Sequence, residues 1–253
     1  MTRVLSHKKE IIARLGDTHN ARILEYGCGT GDFIELLLSN QSKPNLIYAV
    51  DSNEKMIDTI KSKFHTEITN GVVQYALCDT PRDLNGLMSF DRIICQNVLE
   101  CIESKIEFIN AFQDLLSDNG IFILSHHDFD SAIFNSKYVQ LTRDLIHYFA
   151  DTKQAWQQHS DGQMGRKIPG LINQSFFHDT SSIKTIRTTE TKLMPGNYGY
   201  LMVQMLLSVA KDHFKEEDIL LWRQDLEEKS ANGDFYFAID LVVAVLNGGK
   251  KDG

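Results

Sequence analysis

The sequence predicts an α/β fold built on a mostly parallel sheet. Short apolar runs alternate with helical patterns from Arg22 to Leu124. The first four of these runs end in polar or acidic residues, and a cluster of glycines separates the first run from the first helix that follows. Alternation of this kind folds as parallel strands joined by right-handed helical crossovers. Polar residues at strand ends then line the carboxyl edge, where open α/β sheets bind ligands.

The elements follow in order. Residues 4–15 carry Val4, Leu5, Ile11, Ile12 and Leu15 at helical spacing, with Gly16 as terminator. Such a helix either covers the surface or lends Arg3 or His7 to a cleft. The first strand holds Ile23, Leu24 and Tyr26 around a carboxylate, Glu25, and stops at Gly27, Gly29 and Gly31; a helical pattern runs on from Phe33 to Leu38. A strand, a glycine turn and a helix N-terminus form a site for a nucleotide-like ligand. The turn needs φ values other residues resist, and a side chain there would keep a ligand off the backbone.

A second strand, Leu46 to Val50, ends in Asp51, placed to hold a ribose diol by two hydrogen bonds or, alternatively, to cap a helix. Ser52 and Asn53 can cap the helix from Glu54 to Phe64. The third strand, Val72 to Leu77, ends in Cys78-Asp79-Thr80, and the fourth, Asp91 to Cys95, runs into Gln96-Asn97-Val98-Leu99-Glu100. Ser104 to Glu107 reads as a capping box for a helix carrying Ile109, Phe112, Leu115 and Leu116. Asp118-Asn119-Gly120 ends that helix and starts a fifth strand, Ile121 to Leu124.

Beyond Ser125 the pattern changes. His126, His127, Asp128 and Asp130 fall in a polar, ionisable segment read as a loop at the strand tip. Helical spacing follows over residues 137–159, with Tyr138, Leu141, Leu145, Phe149 and Trp156. Residues 160–170 are rich in turn formers, and 161–166 among them read as a hinge or lid, placing Met164 and Arg166 over a cleft. A strand at Ile183 to Lys192, helices near residues 198–212 and 216–228, and a last strand at Phe235 to Leu246 complete the chain. The 253 residues suit one domain, 1–253, with 130–181 as a cap or lid insertion after the fifth strand.

A net charge of −8 argues against a surface that tracks a phosphate backbone. Cys28, Cys78, Cys95 and Cys101 form no CxxC pair, so neither a metal nor a disulfide framework is expected, and reduced thiols suit a cytoplasmic protein. The adjacent histidines are poorly spaced to share one ion. The first twenty residues lack the apolar core of a signal peptide, and no apolar run approaches the roughly 20 residues that span a bilayer, so no membrane partner is expected.

The order LEYGCGTG, AVDSNEKMI, Asp79 and NVLEC resembles the class I S-adenosylmethionine-dependent methyltransferases, and among them the ubiquinone/menaquinone-biosynthesis-type group known as methyltransferase type 11. The GxGxG spacing differs from the GxGxxG of dinucleotide dehydrogenases. Cys101 stands where that group carries histidine after Leu-Glu. The resemblance spans about Arg22 to Ser125. It implies a Rossmann-like seven-stranded, mostly parallel sheet with an antiparallel edge strand and a mainly helical cap. It also implies S-adenosylmethionine as cofactor and S-adenosylhomocysteine as product.

On this resemblance Glu25, Tyr26, Gly27, Cys28, Gly29 and Gly31 shape the methionine pocket. Asp51 takes the ribose, flanked by Ser52, Asn53 and Met56. Asp79 and Thr80 take the adenine, and Gln96, Asn97 and Val98 line the methionine side. His126, His127 and Asp128 are the catalytic candidates, since a neutral histidine facing the methyl can take an acceptor proton near pH 7; the alternative is that they hold the next helix. Asp130, Met164 and Arg166 are the substrate candidates, Arg166 either clamping an anionic group or forming a lid salt bridge. The implied reaction moves a methyl group to an oxygen or nitrogen of a small-molecule metabolite. Methylation of nucleic acid or protein, and a non-catalytic cofactor-binding subunit, are the alternatives. An aminopropyltransferase would share the fold, but no paired carboxylates suit a polyamine.

Overall fold

The alternating apolar runs fold as strands of one sheet. The computed structural model describes residues 6–153 and 161–249; Arg3 and Trp156 lie outside them. The first half comprises α1 (Ser6–Arg14), β1 (Arg22–Tyr26), α2 (Asp32–Ser39), β2 (Leu46–Asp51), α3 (Glu54–Lys63), α4 (His65–Thr69), β3 (Val73–Leu77), β4 (Phe90–Gln96) and α5 (Lys105–Leu115). The second comprises β5 (Leu116–Phe134), α6 (Val139–Asp151), α7 (Met164–Asn173), β6 (Ser181–Glu190), α8 (Tyr198–Ala210), α9 (Glu216–Ala231) and β7 (Phe237–Asn247). The seven strands lie in the order β3-β2-β1-β4-β5-β7-β6. Neighbours from β3 to β5 pair in parallel. β7 runs antiparallel to both β5 and β6, one position in from the edge.

Because strand side chains alternate between faces, each strand feeds two cores. Ile23, Ile47, Ala49 and Ile123 meet Ile11, Leu15, Phe33, Leu37 and Ile57 from α1, α2 and α3. Leu24, Tyr26, Phe122 and Leu124 meet Phe108, Phe112, Ile168 and Ile172 from α5 and α7 on the opposite face. A third core packs α6, α8 and α9 around Trp222, Phe235 and Phe237 at the far end of β5 and β7.

Three expectations change. Residues 125–130 are strand rather than loop: β5 runs for 19 residues, with Ser125 to Asp128 paired to Val243 through Asp240. The late strand β7 satisfies their backbone groups, a pairing no local pattern announces. Residues 164–166 are not a hinge: they begin α7, which carries Pro169 inside the helix and returns to the sheet, while α6 packs with α8 and α9. Helix α5 starts where expected, yet Ser104 makes no side-chain cap bond. Asn53 does cap α3, accepting the Lys55 N–H at 3.0 Å.

Candidate functional site

The glycine turn after β1 has Gly27, Gly29 and Gly31 at φ 74°, 51° and 78°. A Cβ on Gly27 would lie 2.3 Å from Val98 Cγ2, and one on Gly31 2.5 Å from Phe64 Cε2, so both glycines let neighbouring elements close. A Cβ on Gly29 would meet nothing within 4 Å. Its backbone therefore lies bare beside open space, as a ligand-cradling turn requires.

Asp51, at the tip of β2, grips this turn. Its Oδ2 accepts the Gly29 N–H at 2.9 Å and its Oδ1 accepts the Asn53 N–H at 2.9 Å. Each carboxylate oxygen has two lone pairs, so one remains on each for a hydroxyl. Ser52 and Asn53 are exposed, Met56 is half-buried, and Asp79 and Thr80 stand exposed at the tip of β3. The Thr80 N–H is taken by Asp83 Oδ2 at 2.9 Å.

Beside the turn opens a cleft of about 320 Å³. Glu25, Tyr26, Gly27, Cys28, Gly29, Gln96 and Asn97, all expected from sequence, line one side together with Thr30, Asp32 and Phe33. The other side was not legible beforehand except for His7 and His127: it brings Lys8 from α1, Glu100 after β4, Phe129 from β5, and Tyr198, Leu201 and Met205 from α8. Their only common signal is three-dimensional, since α1 and α8 lie far apart in sequence. Tyr198 stacks on His127 at 4.4 Å between centroids, and His7 meets both rings edge-on, at 4.8 and 5.2 Å.

Polar atoms without partners gather here. Glu25 Oε2, Gln96 Nε2, His7 Nδ1 and His127 Nε2 are buried and make no hydrogen bond. Such atoms are costly to leave unpaired, and they mark where a polar ligand fits. Burial pushes the Glu25 carboxyl up to about 8, and the neighbouring Asp32 and Asp51 charges add to the rise while Lys8 opposes it. Burial lowers His7 to about 4, and it holds His127 well below its ordinary value, so both rings are neutral at pH 7. Lys8 Nζ is held by Asp32 Oδ2 at 2.7 Å.

The remaining candidates separate. Strand alternation sends His127 to the cleft side and His126 and Asp128 to the other face. His126 is fully buried, its Nδ1 2.7 Å from the His127 carbonyl oxygen and its Nε2 3.9 Å from Glu100 Oε2. Asp128 accepts two hydrogen bonds from Arg166, at 2.5 and 2.8 Å, and Asp130 pairs with Arg166 and His147. Arg166 is thus a tie between α7 and β5 and not a guanidinium over the cleft. Met164 is fully buried in the α5–α7 core, away from the cleft wall, because α7 turns its apolar face to the sheet. Among the described residues no cluster of His, Cys, Asp or Glu is placed to hold a metal, and no helix is long and apolar enough to cross a membrane.

Sheet order, glycine turn and acidic strand tips together define a class I, S-adenosylmethionine-dependent methyltransferase. A family model described as a methyltransferase domain matches residues 3–167, well over half of the chain, and the chain belongs to that family. Among solved structures it is similar to the YcgJ protein of Bacillus subtilis, at 13% identity and TM-score 0.59, over 96% of this chain and 98% of that one. It is also similar to an S-adenosylmethionine-dependent methyltransferase from Mesorhizobium loti, at 16% identity and TM-score 0.50, over 94% and 96%. A third is the phosphoethanolamine N-methyltransferase 2 of Haemonchus contortus, at 14% identity and TM-score 0.55, over 96% of this chain and 52% of that one. Identities this low show the fold alone. No curated protein sequence matches.

The residues fit the cofactor. Glu25 Oε2 offers a carboxylate oxygen to an ammonium and Gln96 Nε2 an amide donor to a carboxylate. Gly29 leaves its face of the turn open. Asp51 keeps lone pairs for a diol.

Proposed function

We propose that this enzyme methylates an oxygen or nitrogen of a small-molecule metabolite. The observation that carries the reading is the convergence of unpartnered buried polar atoms from Glu25, Gln96, His7 and His127 on one cleft beside the glycine turn. Glu25, Gln96 and the Gly27–Gly31 turn hold the amino-acid end of the cofactor and Asp51 its ribose, with Ser52, Asn53 and Met56 beside it. Asp79 and Thr80 flank the base, while Tyr26, Cys28, Asn97 and Val98 support the turn side. Bound S-adenosylmethionine supplies a methyl group already activated on a sulfonium and leaves as the thioether S-adenosylhomocysteine.

The protein's own work is then alignment, which contributes about 7–11 kcal/mol in favourable cases. The rings of His7, His127, Phe129 and Tyr198 wall the acceptor side and exclude water. Glu100, on that wall, takes the acceptor proton. The small, ring-walled cleft and the net charge of −8 support a metabolite over a nucleic acid. Four free cysteines, three of them buried, support a reducing, cytoplasmic setting.

The test is titration calorimetry with S-adenosylhomocysteine, followed by labelled-methyl transfer into a metabolite extract. Micromolar uptake and a labelled small product are expected. Label in nucleic acid or protein, or no binding at millimolar ligand, overturns the reading.

A further inference from the structure

The two adjacent histidines of β5 meet different hydrogen-bond partners at Nδ1, an amide for His127 and a carbonyl oxygen for His126, and these partners favour protons on opposite ring nitrogens. His127 N–H must donate, and it meets the side-chain oxygen of Asn97 at 3.0 Å. That contact fixes the amide's orientation, because the alternative would set two donors face to face. The amide nitrogen then lies 3.1 Å from His127 Nδ1, closer than the oxygen at 3.3 Å. An amide NH₂ only donates, so Nδ1 is the acceptor and, in the neutral ring, Nε2 carries the proton. For His126 the logic reverses: Nδ1 faces a carbonyl oxygen at 2.7 Å, so Nδ1 carries the proton and Nε2 the lone pair.

We infer that His127 is a hydrogen-bond donor to the methyl acceptor and not its base, that Asn97 is the positioning residue which sets this tautomer, and that the acceptor atom is a hydroxyl oxygen. This rests on the methyltransferase reading of the cleft. His127 Nε2–H is buried, has no partner, and belongs to a ring in the cleft wall. It needs a lone pair. An amine nitrogen has one lone pair and spends it in attack, so it cannot accept from His127 and attack at once. An oxygen has two. One accepts from Nε2–H; the other forms the carbon–oxygen bond as the carbon–sulfur pair withdraws to sulfur and the hydroxyl proton passes to Glu100. The cleft's charges agree: its one lysine, Lys8, is paired with Asp32, so no described lining residue offers a free cation to an anionic acceptor.

Asn97 is suited to this post. It sits at φ 54°, a left-handed conformation that asparagine and aspartate tolerate. Asn97→Asp therefore keeps the backbone and the oxygen facing His127 N–H, but replaces the donor at Nδ1 with an acceptor.

The experiment is long-range proton–nitrogen correlation on ring-¹⁵N-histidine protein at pH 7, with His127 assigned from the signals missing in His127→Gln. Wild type is expected to show a protonated Nε2 and a bare Nδ1 for His127, and the reverse for His126. In Asn97→Asp the proton of His127 is expected on Nδ1, with folding intact by circular dichroism. A proton on Nδ1 of His127 in wild type, or an unchanged pattern in Asn97→Asp, overturns the assignment. A ¹³C-methyl donor supplied with a metabolite extract then reads the linkage. An O-methyl product is expected; an N-methyl product overturns the oxygen acceptor. No methyl product from protein that binds S-adenosylhomocysteine and shows the expected tautomers removes the methyltransferase reading and the acceptor with it, while the Asn97–His127 tautomer assignment stands.

Discussion

Gly27 and Gly29 lie two residues apart at positive φ, yet the space beside them differs, and the difference separates folding from binding. Alanine at either position pays about 1–2 kcal/mol for a left-handed backbone. At Gly27 the new Cβ also strikes Val98 Cγ2 at 2.3 Å, so Gly27→Ala should lose on the order of 3 kcal/mol. At Gly29 nothing stands within 4 Å. Gly29→Ala should melt roughly 2–8 °C lower than wild type, but bind S-adenosylhomocysteine at least ~10-fold more weakly in calorimetry. Wild-type affinity in Gly29→Ala would mean the cofactor does not lie on that turn. Asp51 makes a companion case: Asp51→Ala removes a charged acceptor worth about 1.5–3 kcal/mol. It should weaken the same ligand by roughly 10- to 100-fold, with the far-ultraviolet spectrum unchanged.

At the level of elements, β5 and α7 are held together by a salt-bridge cluster that stands off the cleft. Arg166 donates twice to Asp128 and reaches Asp130, both largely buried, while Arg166 itself is about half exposed. Gly165 fits beside them because a Cβ there would lie 2.8 Å from the Asp128 backbone nitrogen. Arg166→Ala strands the Asp128 carboxylate and takes one partner from Asp130, which keeps His147 and Gln163; discounted for the exposed guanidinium, the loss should be on the order of 2 kcal/mol. Lysine should recover only part of it, since it lacks the planar fork. Thermal melts check this, and a raised KM with an unchanged melting temperature would restore the substrate-clamp reading.

The same elements show what a sequence can reveal. Strands β1 to β4 and the turn between β1 and α2 were legible because their signals are local: an apolar run, a polar tip, then glycines. The extension of β5 was not. Ser125-His126-His127-Asp128 reads as a loop until β7, more than 100 residues later, supplies its ladder. Gly165, Pro169 and Gly170 likewise disguised α7 as a turn, although burial of Met164, Ile168 and Ile172 stabilises it as a helix. The glycine-turn side of the cleft lies where the motifs placed a site, whereas Tyr198, Leu201 and Met205 reach the opposite wall only through tertiary packing.

Across the whole molecule, buried ionisable groups set the pH range of stability, and they pull in opposite directions. His7 and His126 are lowered to about 4 and His127 well below its ordinary value, all chiefly by burial. The unfolded chain binds their protons from about pH 6.5 downward while the folded chain does not, so their contribution to stability is present above that pH and is lost as pH falls. Glu25 has the reverse sign. Its folded value of about 8 exceeds that of an unfolded glutamate, so its contribution is whole below about 4.5 and is lost as pH rises through 8. Near pH 5.5 the three histidines outweigh the one glutamate by nearly two protons, giving a slope of roughly 2 kcal/mol per pH unit. Above pH 7 the histidines are neutral in both states and only the Glu25 penalty grows. The ligand-free melting temperature should therefore peak near neutrality, falling steeply on the acid side and gently on the alkaline side. Glu25→Gln should flatten the alkaline limb and leave the acid limb standing. Binding should show the same proton from the other direction: an ammonium beside Glu25 lowers its affinity for the proton. S-adenosylhomocysteine titrated at pH 7 in buffers of different ionisation enthalpy should release close to one proton from wild type and none from Glu25→Gln. Equal proton release in the two proteins would show that the ligand's ammonium does not sit against Glu25.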